Sequence, residues 1–178
     1  MIPLFGQVQL RPLSLSDVEH IFLTIDAERR FLREWLPFVD ATYTIDDSRA
    51  FVESVLNSDD KHFAIYDGDV FIGLVGLKDC DLTNKKAEIG YWLSEHAQGK
   101  GIITLSVREL LEYAFVELGF NRVQIKVAVE NKKSRRIPEK LGFHLEGIER
   151  DGELLSGNTY TDLAVYSLLN REYRKLCK

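Results

Sequence analysis

The sequence predicts a mixed α/β fold, and three stretches carry that prediction. In residues 87–93, Ile89, Tyr91 and Leu93 alternate with Glu88, Gly90 and Trp92, the period-two pattern of a strand whose two faces differ. Ile103, Val107, Leu110, Leu111, Ala114, Phe115 and Leu118 then recur at helical spacing and form one apolar stripe. In residues 122–129, Val123, Ile125, Val127 and Val129 alternate with Gln124, Lys126 and Ala128, which gives a second strand beyond that helix. A single helix between two strands implies a right-handed crossover and a parallel pair.

The other elements follow in chain order. Residues 7–13 read as a first strand, and Ser14, Ser16 and Asp17 offer polar caps for a helix through about residue 26. Residues 29–40 hold Phe31, Leu32, Trp35, Leu36, Pro37 and Phe38, large apolar groups with a proline that ends any helix. They serve either as core or as one wall of a substrate cleft. Asp46 and Asp47, followed by Ala50, Phe51 and Val55 at helical spacing, predict a second helix over 45–56. A hairpin comes next, with strands at 62–66 and 70–77 joined by Asp67-Gly68-Asp69. The polar connection 78–86 leads into the 87–93 strand, so three strands form an antiparallel meander. Gly119 ends the long helix. After the 122–129 strand, Asn131 caps a short helix to about residue 140 that Pro138 interrupts, and Gly142 stops it. Residues 143–150 and 159–168 read as a closing hairpin around a loop at 151–158, and residues 171–178 as a charged tail. With no repeat, low-complexity tract or linker, residues 1–178 read as a single domain.

Composition narrows the function. A hydrophobic share of 45% and a charged share of 29% are ordinary for a soluble globular protein. No apolar run approaches the roughly 20 residues of a membrane span, and the N-terminus lacks a basic segment followed by a hydrophobic one. A cytoplasmic protein is therefore expected, with no membrane partner. Cys80 and Cys177 have neither metal-like nor redox-like spacing, so no metal is expected. A formal charge of −5 argues against generic nucleic-acid binding and suits a cationic acceptor such as an amine or a basic polypeptide. The one basic cluster, Lys132, Lys133, Arg135 and Arg136, is either a solvated helix start or a contact for a polyanionic cofactor.

Between the 87–93 strand and its helix lies Gln98-Gly99-Lys100-Gly101. Two glycines let the backbone turn sharply and let a ligand approach main-chain N–H groups. The helix beyond them starts with unpaired donors at the positive end of its dipole, so the turn suits an anion, a phosphate above all. The spacing excludes two common phosphate motifs. A Walker loop, G-x-x-x-x-G-K-[ST], places its lysine after the second glycine, whereas Lys100 lies between the two, and a dinucleotide fingerprint needs a third glycine where Thr104 stands. The bland alternative is a strand-to-helix turn that merely needs glycine.

His96-Ala97-Gln98-Gly99-Lys100-Gly101 resembles the acetyl-CoA pyrophosphate loop of the GNAT acetyltransferases, Q/R-x-x-G-x-G/A, with His96 standing where the family has Gln or Arg. Leu10-Arg11-Pro12-Leu13 resembles the family's first strand, and Ala87-Glu88-Ile89-Gly90-Tyr91-Trp92 its fourth. NKKSRRIPEKLGF, at 131–143, is similar to the N-x-x-S-x-x-x-x-E-K-x-G-F segment after its fifth strand. FLREWLPF, at 31–38, is similar to an aromatic segment of the RimJ/RimL branch, which acetylates ribosomal protein N-termini. The resemblance covers nearly the whole chain. It implies the GNAT fold, a twisted, mixed, mostly antiparallel sheet with a splayed parallel strand pair, flanked by helices.

The resemblance also implies acetyl-CoA as cosubstrate, held between the 87–93 and 122–129 strands. Its pyrophosphate would meet the N–H groups of Gln98, Gly99, Lys100, Gly101, Ile102, Ile103 and Thr104. Its pantetheine would run beside Trp92, Leu93 and Ser94 like an added strand, with an oxyanion donor among those residues. Asn131 would contact the pantetheine arm as well as cap its helix. Many GNAT enzymes protonate the leaving thiolate with a tyrosine seven places after the equivalent of Asn131, but Pro138 stands there. Ser134, which matches a serine of the ribosomal branch, is the expected hydrogen-bond donor to sulfur. The general base is Glu88 or Glu153, the latter resembling an acidic residue near the active site of that branch. Glu88 is favoured because its strand is fixed against the cofactor while Glu153 falls in a loop. The expected activity is acetyl transfer to a primary amine, above all the N-terminal α-amine of a ribosomal protein. A small-molecule amine such as a polyamine or aminoglycoside, and a non-catalytic acyl-CoA-binding module, are the alternatives. An exposed wall at 35–38 would equally suit a homodimer contact.

Overall fold

The computed structural model describes residues 1–176. Its framework is one eight-stranded sheet in the order β1-β2-β3-β4-β5-β6-β8-β7. The strands are β1 Ile2–Phe5, β2 Val8–Pro12, β3 Lys61–Asp67, β4 Val70–Asp81, β5 Lys86–Leu93, β6 Arg122–Ala128, β7 His144–Leu155 and β8 Thr159–Leu169. Neighbouring strands pair antiparallel throughout except β5 and β6, which are parallel, as the helix between them requires. The helices are α1 Val18–Ala27, α2 Arg29–Leu32, α3 Ile45–Leu56, α4 Ile102–Glu112, α5 Lys132–Lys140 and α6 Asn170–Leu176. Among the described residues no helix is long and apolar enough to cross a membrane.

Strand alternation sorts the side chains onto two faces. Ile89 and Leu93 of β5 pack with Val123 and Ile125 of β6 and with Val107, Leu110 and Leu111 of α4. Trp92 of β5 packs instead with Leu74 of β4, Ile21 and Ile25 of α1, and Val52 of α3. The sheet therefore separates α4 from α1 and α3. Because adjacent strand residues point to opposite faces, Tyr91 lies on the α4 side, while Glu88 and Gly90 lie on the α1/α3 side. Leu110 and Val107 are fully buried, and truncation of Leu110 to Ala would cost about 2–5 kcal/mol.

The structure corrects the sequence expectations at five places. β1 was not foreseen, because a four-residue edge strand carries too little alternation, yet it pairs with β2 from Ile2↔Leu10 onward. The polar connection 78–86 is largely strand, since β4 runs to Asp81 and β5 starts at Lys86, with a register shift between Lys78 and Asp81. The expected loop 151–158 is mostly β7, and Glu153 pairs with Thr161 on the ladder rather than sitting in a loop. That strand is an edge with nearly every side chain exposed or half-buried, so it shows no apolar alternation. Pro138 does not interrupt α5, which runs unbroken from Lys132 to Lys140. The expected tail 171–178 is helical to Leu176, and Cys177 lies outside the described residues.

Candidate active site

The parallel strands touch only briefly. β5 and β6 pair at Lys86↔Arg122, Ala87↔Val123 and Glu88↔Gln124, after which β6 pairs with β8 alone, as far as Ala128↔Leu163. A gap opens between them. The Ser94 N–H donates to the Ile72 carbonyl at 2.8 Å, which fixes the phase of the β4–β5 ladder. Antiparallel pairs alternate between bonded and non-bonded, so Trp92, opposite Leu74, also turns its N–H toward β4. Tyr91 and Leu93 turn theirs the other way, into the gap. Of Trp92, Leu93 and Ser94, only Leu93 thus presents an N–H there.

Beyond β5 comes the glycine turn. Gly99 and Gly101 have φ of 76° and 79°, in the left-handed region that side chains rarely adopt. An added Cβ at either would meet nothing within 4 Å, so the constraint is conformational and the space beside the turn is open. Gly101 caps α4, and its carbonyl accepts the first helical bond, from the Leu105 N–H at 3.1 Å. The N–H groups of Ile102, Ile103 and Thr104 are thereby left without helical acceptors at the positive helix end.

A cavity of about 620 Å³ joins the turn to the gap. Gln98, Gly99, Gly101, Ile102, Ile103 and Thr104 line one end of it. Tyr91, Trp92 and Leu93 line its floor, and Asn131 and Ser134 enter from the start of α5. Lys132, Lys133, Arg136 and Lys140 add four cations. Arg135, the remaining member of the expected basic cluster, turns away: its Nε donates to the Tyr166 hydroxyl at 2.9 Å and its Nη1 to the Val129 carbonyl at 3.3 Å. Lys100 is exposed and outside the lining, as is His96. His96 Nδ1 lies 3.6 Å from Glu28 Oε1, while Glu28 Oε2 accepts the Glu95 N–H at 2.9 Å, so the loop's entry is tied to the end of α1. A hollow of similar size, about 630 Å³ between β1, α3 and α4, contains none of the candidate catalytic or cofactor residues.

Phe31, Trp35 and Leu36 close the cavity from the other side of the sheet. Two arginines hold this segment. Arg29 Nη1 donates to the Val39 carbonyl at 2.8 Å, and Arg33 grips Asp40 through two bonds of 3.0 and 2.9 Å.

Ser134 is held through three of its polar groups. Asn131 Oδ1 accepts its N–H at 3.1 Å, its Oγ donates to the Tyr91 hydroxyl at 3.0 Å, and its carbonyl accepts from that hydroxyl at 3.2 Å. Burial raises the Tyr91 pKa well above the usual phenol value, so the group stays a neutral O–H. The Ser94 hydroxyl is buried and has no hydrogen-bond partner among the described residues.

The two candidate bases meet on the α1/α3 face. Glu88 is 8% exposed. Its Oε1 lies 2.8 Å from Lys78 Nζ and its Oε2 accepts from Gln124 Nε2 at 2.9 Å. Glu153, half-buried on β7, lies within electrostatic reach of both Lys78 and Glu88. Burial raises its pKa above the usual carboxylate value, Lys78 opposes that, and Glu88 adds to it. Sequence reasoning missed Lys78 and the Tyr91 hydroxyl. In the sequence Lys78 sits in a polar connection and Tyr91 in an apolar alternation, and only the strand register and the crossover bring each to its partner.

Comparison with known proteins agrees with this geometry. The acetyltransferase (GNAT) domain model matches residues 7–144. YdaF of Bacillus subtilis (strain 168), a candidate ribosomal N-acetyltransferase by its name, is 39% identical over 175 residues, covering 93% of each chain. Spermidine N(1)-acetyltransferase of Escherichia coli (strain K12) is 26% identical over 146 residues, covering 82% of this chain and 77% of that one. The solved structure of RimL, a ribosomal L7/L12 α-N-protein acetyltransferase in complex with coenzyme A, superposes with a TM-score of 0.88 at 26% identity. That match covers 94% of this chain and 97% of RimL. With a parallel strand pair that parts beside a glycine turn at a helix start, and with this match over most of its length, the chain belongs to the GNAT acetyltransferase family.

Proposed function

We propose that the chain transfers the acetyl group of acetyl-CoA to a primary amine, and that its acceptor is the N-terminal α-amine of a cytoplasmic polypeptide, a ribosomal protein above all. The observation that carries the reading is the single cavity joining the glycine turn, the open edge of β5 and the basic start of α5. A coenzyme A molecule needs all three: donors for its pyrophosphate, a strand edge for its amide-bearing arm, and cations for its negative charge. The acceptor assignment draws support from the names of YdaF and RimL and from the arginine-held wall of Phe31, Trp35 and Leu36.

Acetyl-CoA supplies an activated thioester. The Leu93 N–H faces the gap, where it would donate to the acetyl oxygen as charge develops there. Glu153 is the better base. Glu88 already has both oxygens engaged, whereas burial keeps Glu153 a stronger proton acceptor. Ser134, on the opposite face, would donate a hydrogen bond to the departing sulfur.

The test is coenzyme A release from acetyl-CoA in the presence of ribosomal-protein N-terminal peptides, spermidine and aminoglycosides. Turnover on free peptides, abolished when their N-termini are blocked, is expected. Turnover on spermidine or an aminoglycoside alone would move the acceptor to small molecules. Tight coenzyme A binding with no turnover on any amine would make the chain a binding module.

A further inference from the structure

We propose that Tyr91 is a positioning residue for thiol departure, acting through the Ser134 hydroxyl, and that Pro138 makes this possible by freeing the Ser134 carbonyl. The proposal rests on the acetyl-transfer reading above. In an α-helix each carbonyl accepts the N–H four residues on, so Ser134 would be bonded by residue 138. Proline has no N–H. The carbonyl is therefore vacant inside an unbroken helix, and the Tyr91 hydroxyl fills it from β5 at 3.2 Å. The same phenol oxygen accepts from Ser134 Oγ at 3.0 Å. Side chain and carbonyl of Ser134 thus close a two-bond ring on one hydroxyl, at a point where both residues line the cavity.

That ring can reverse without moving a proton between oxygens. As the C–S bond breaks, its electron pair stays on sulfur. The Ser134 hydrogen then swings from Tyr91 to sulfur, and the Tyr91 hydrogen swings from the Ser134 carbonyl to Ser134 Oγ. A serine hydroxyl that accepts one hydrogen bond is a stronger donor of its own, so the phenol reinforces the serine. The proton lost by the amine leaves on Glu153, and water protonates the released thiolate. Tyr91 never ionises, consistent with its burial away from charge compensation.

The decisive measurement is the pKa of the thiol of bound coenzyme A, read from thiolate ultraviolet absorbance, with affinity by calorimetry. Tyr91→Phe should raise that pKa by about one unit and lower kcat about tenfold, with little change in the KM for acetyl-CoA. Ser134→Ala should lower kcat by about 10²-fold at most. In the Ser134→Ala background Tyr91→Phe should add nothing. Fluorotyrosine at position 91, a stronger donor of nearly the same shape, should lower the bound thiol pKa, and it keeps the test open if Tyr91→Phe folds poorly. An unchanged thiol pKa in both Tyr91 variants, or a Tyr91→Phe loss undiminished without Ser134, would overturn the proposal. Failure of the wild type to bind coenzyme A would overturn the reading beneath it instead.

Discussion

Lys78 and Glu88 face each other across β4 and β5, with Nζ 2.8 Å from Oε1, and this pairing sets the two candidate bases apart. The lysine is itself shared, lying near Asp79 on its own strand, His62 on β3 and Glu153 on β7. A base must be ionised to act, so the acid limb of kcat/KM marks its pKa.

Glu153→Gln should therefore lower kcat/KM by about 10²–10⁴-fold at neutral pH, with partial rescue at high pH where the amine is already neutral. Lys78→Met removes the cation that holds the Glu153 pKa down, so the acid limb should move to higher pH. Glu88→Gln removes the anion that pushes it up, so the limb should move to lower pH. Steady-state pH profiles decide, with shifts of about one unit expected. An unmoved limb in both variants, or full activity of Glu153→Gln, would remove Glu153 from the role of base.

Gly101→Glu should abolish coenzyme A binding while leaving the fold intact. A non-glycine residue at φ 79° costs about 1–2 kcal/mol, which corresponds to a Tm lower by about 2–8 °C in a chain of this size. The binding loss has a separate cause, a carboxylate placed among the unpaired N–H donors proposed for the pyrophosphate. Calorimetry against coenzyme A and a thermal melt read the two effects apart, and wild-type affinity in this variant would place the pyrophosphate elsewhere.

Glu146 bears on stability instead. It pairs with Arg122, 2.7 Å from Nη2, and accepts from Ser167 Oγ at 2.7 Å, contacts that lower its pKa to about 2. A carboxylate with a lowered folded pKa stabilises above its unfolded value and loses that contribution as pH falls toward the folded one. Wild type should thus lose stability relative to Glu146→Gln between about pH 4.5 and pH 2. The pair is partly exposed and screened by solvent, so the difference at neutral pH should be about 1 kcal/mol or less. Parallel denaturant melts across that range measure it, and parallel pH dependences would show the contact to be inert.

What the sequence makes legible here is local. The alternation of β5, the glycines that set the turn before α4 and the Asn131 cap each depend on a few neighbouring residues, and each stands where its pattern places it. The Tyr91 hydroxyl meets Ser134 across 43 positions of chain, and Lys78 finds Glu88 only through a hairpin register. Neither contact has a periodicity to betray it. Pro138 shows the limit from the other side: local rules predict a break, yet the helix continues, and the Tyr91 hydroxyl on β5 occupies the carbonyl that the proline leaves open.

The parting of β5 from β6 after three residue pairs leaves this sheet with an unfinished seam. Outward-facing amides such as that of Leu93 have no protein strand to protect them from exchange with solvent. A ligand lying along that edge would complete the ladder, so the binding step is also the last step of sheet assembly. At a hundredfold excess over Kd such a ligand adds about 2.7 kcal/mol to the folded state. The growing cell's supply of acetyl-CoA would then govern how firmly this enzyme is folded as well as how fast it turns over.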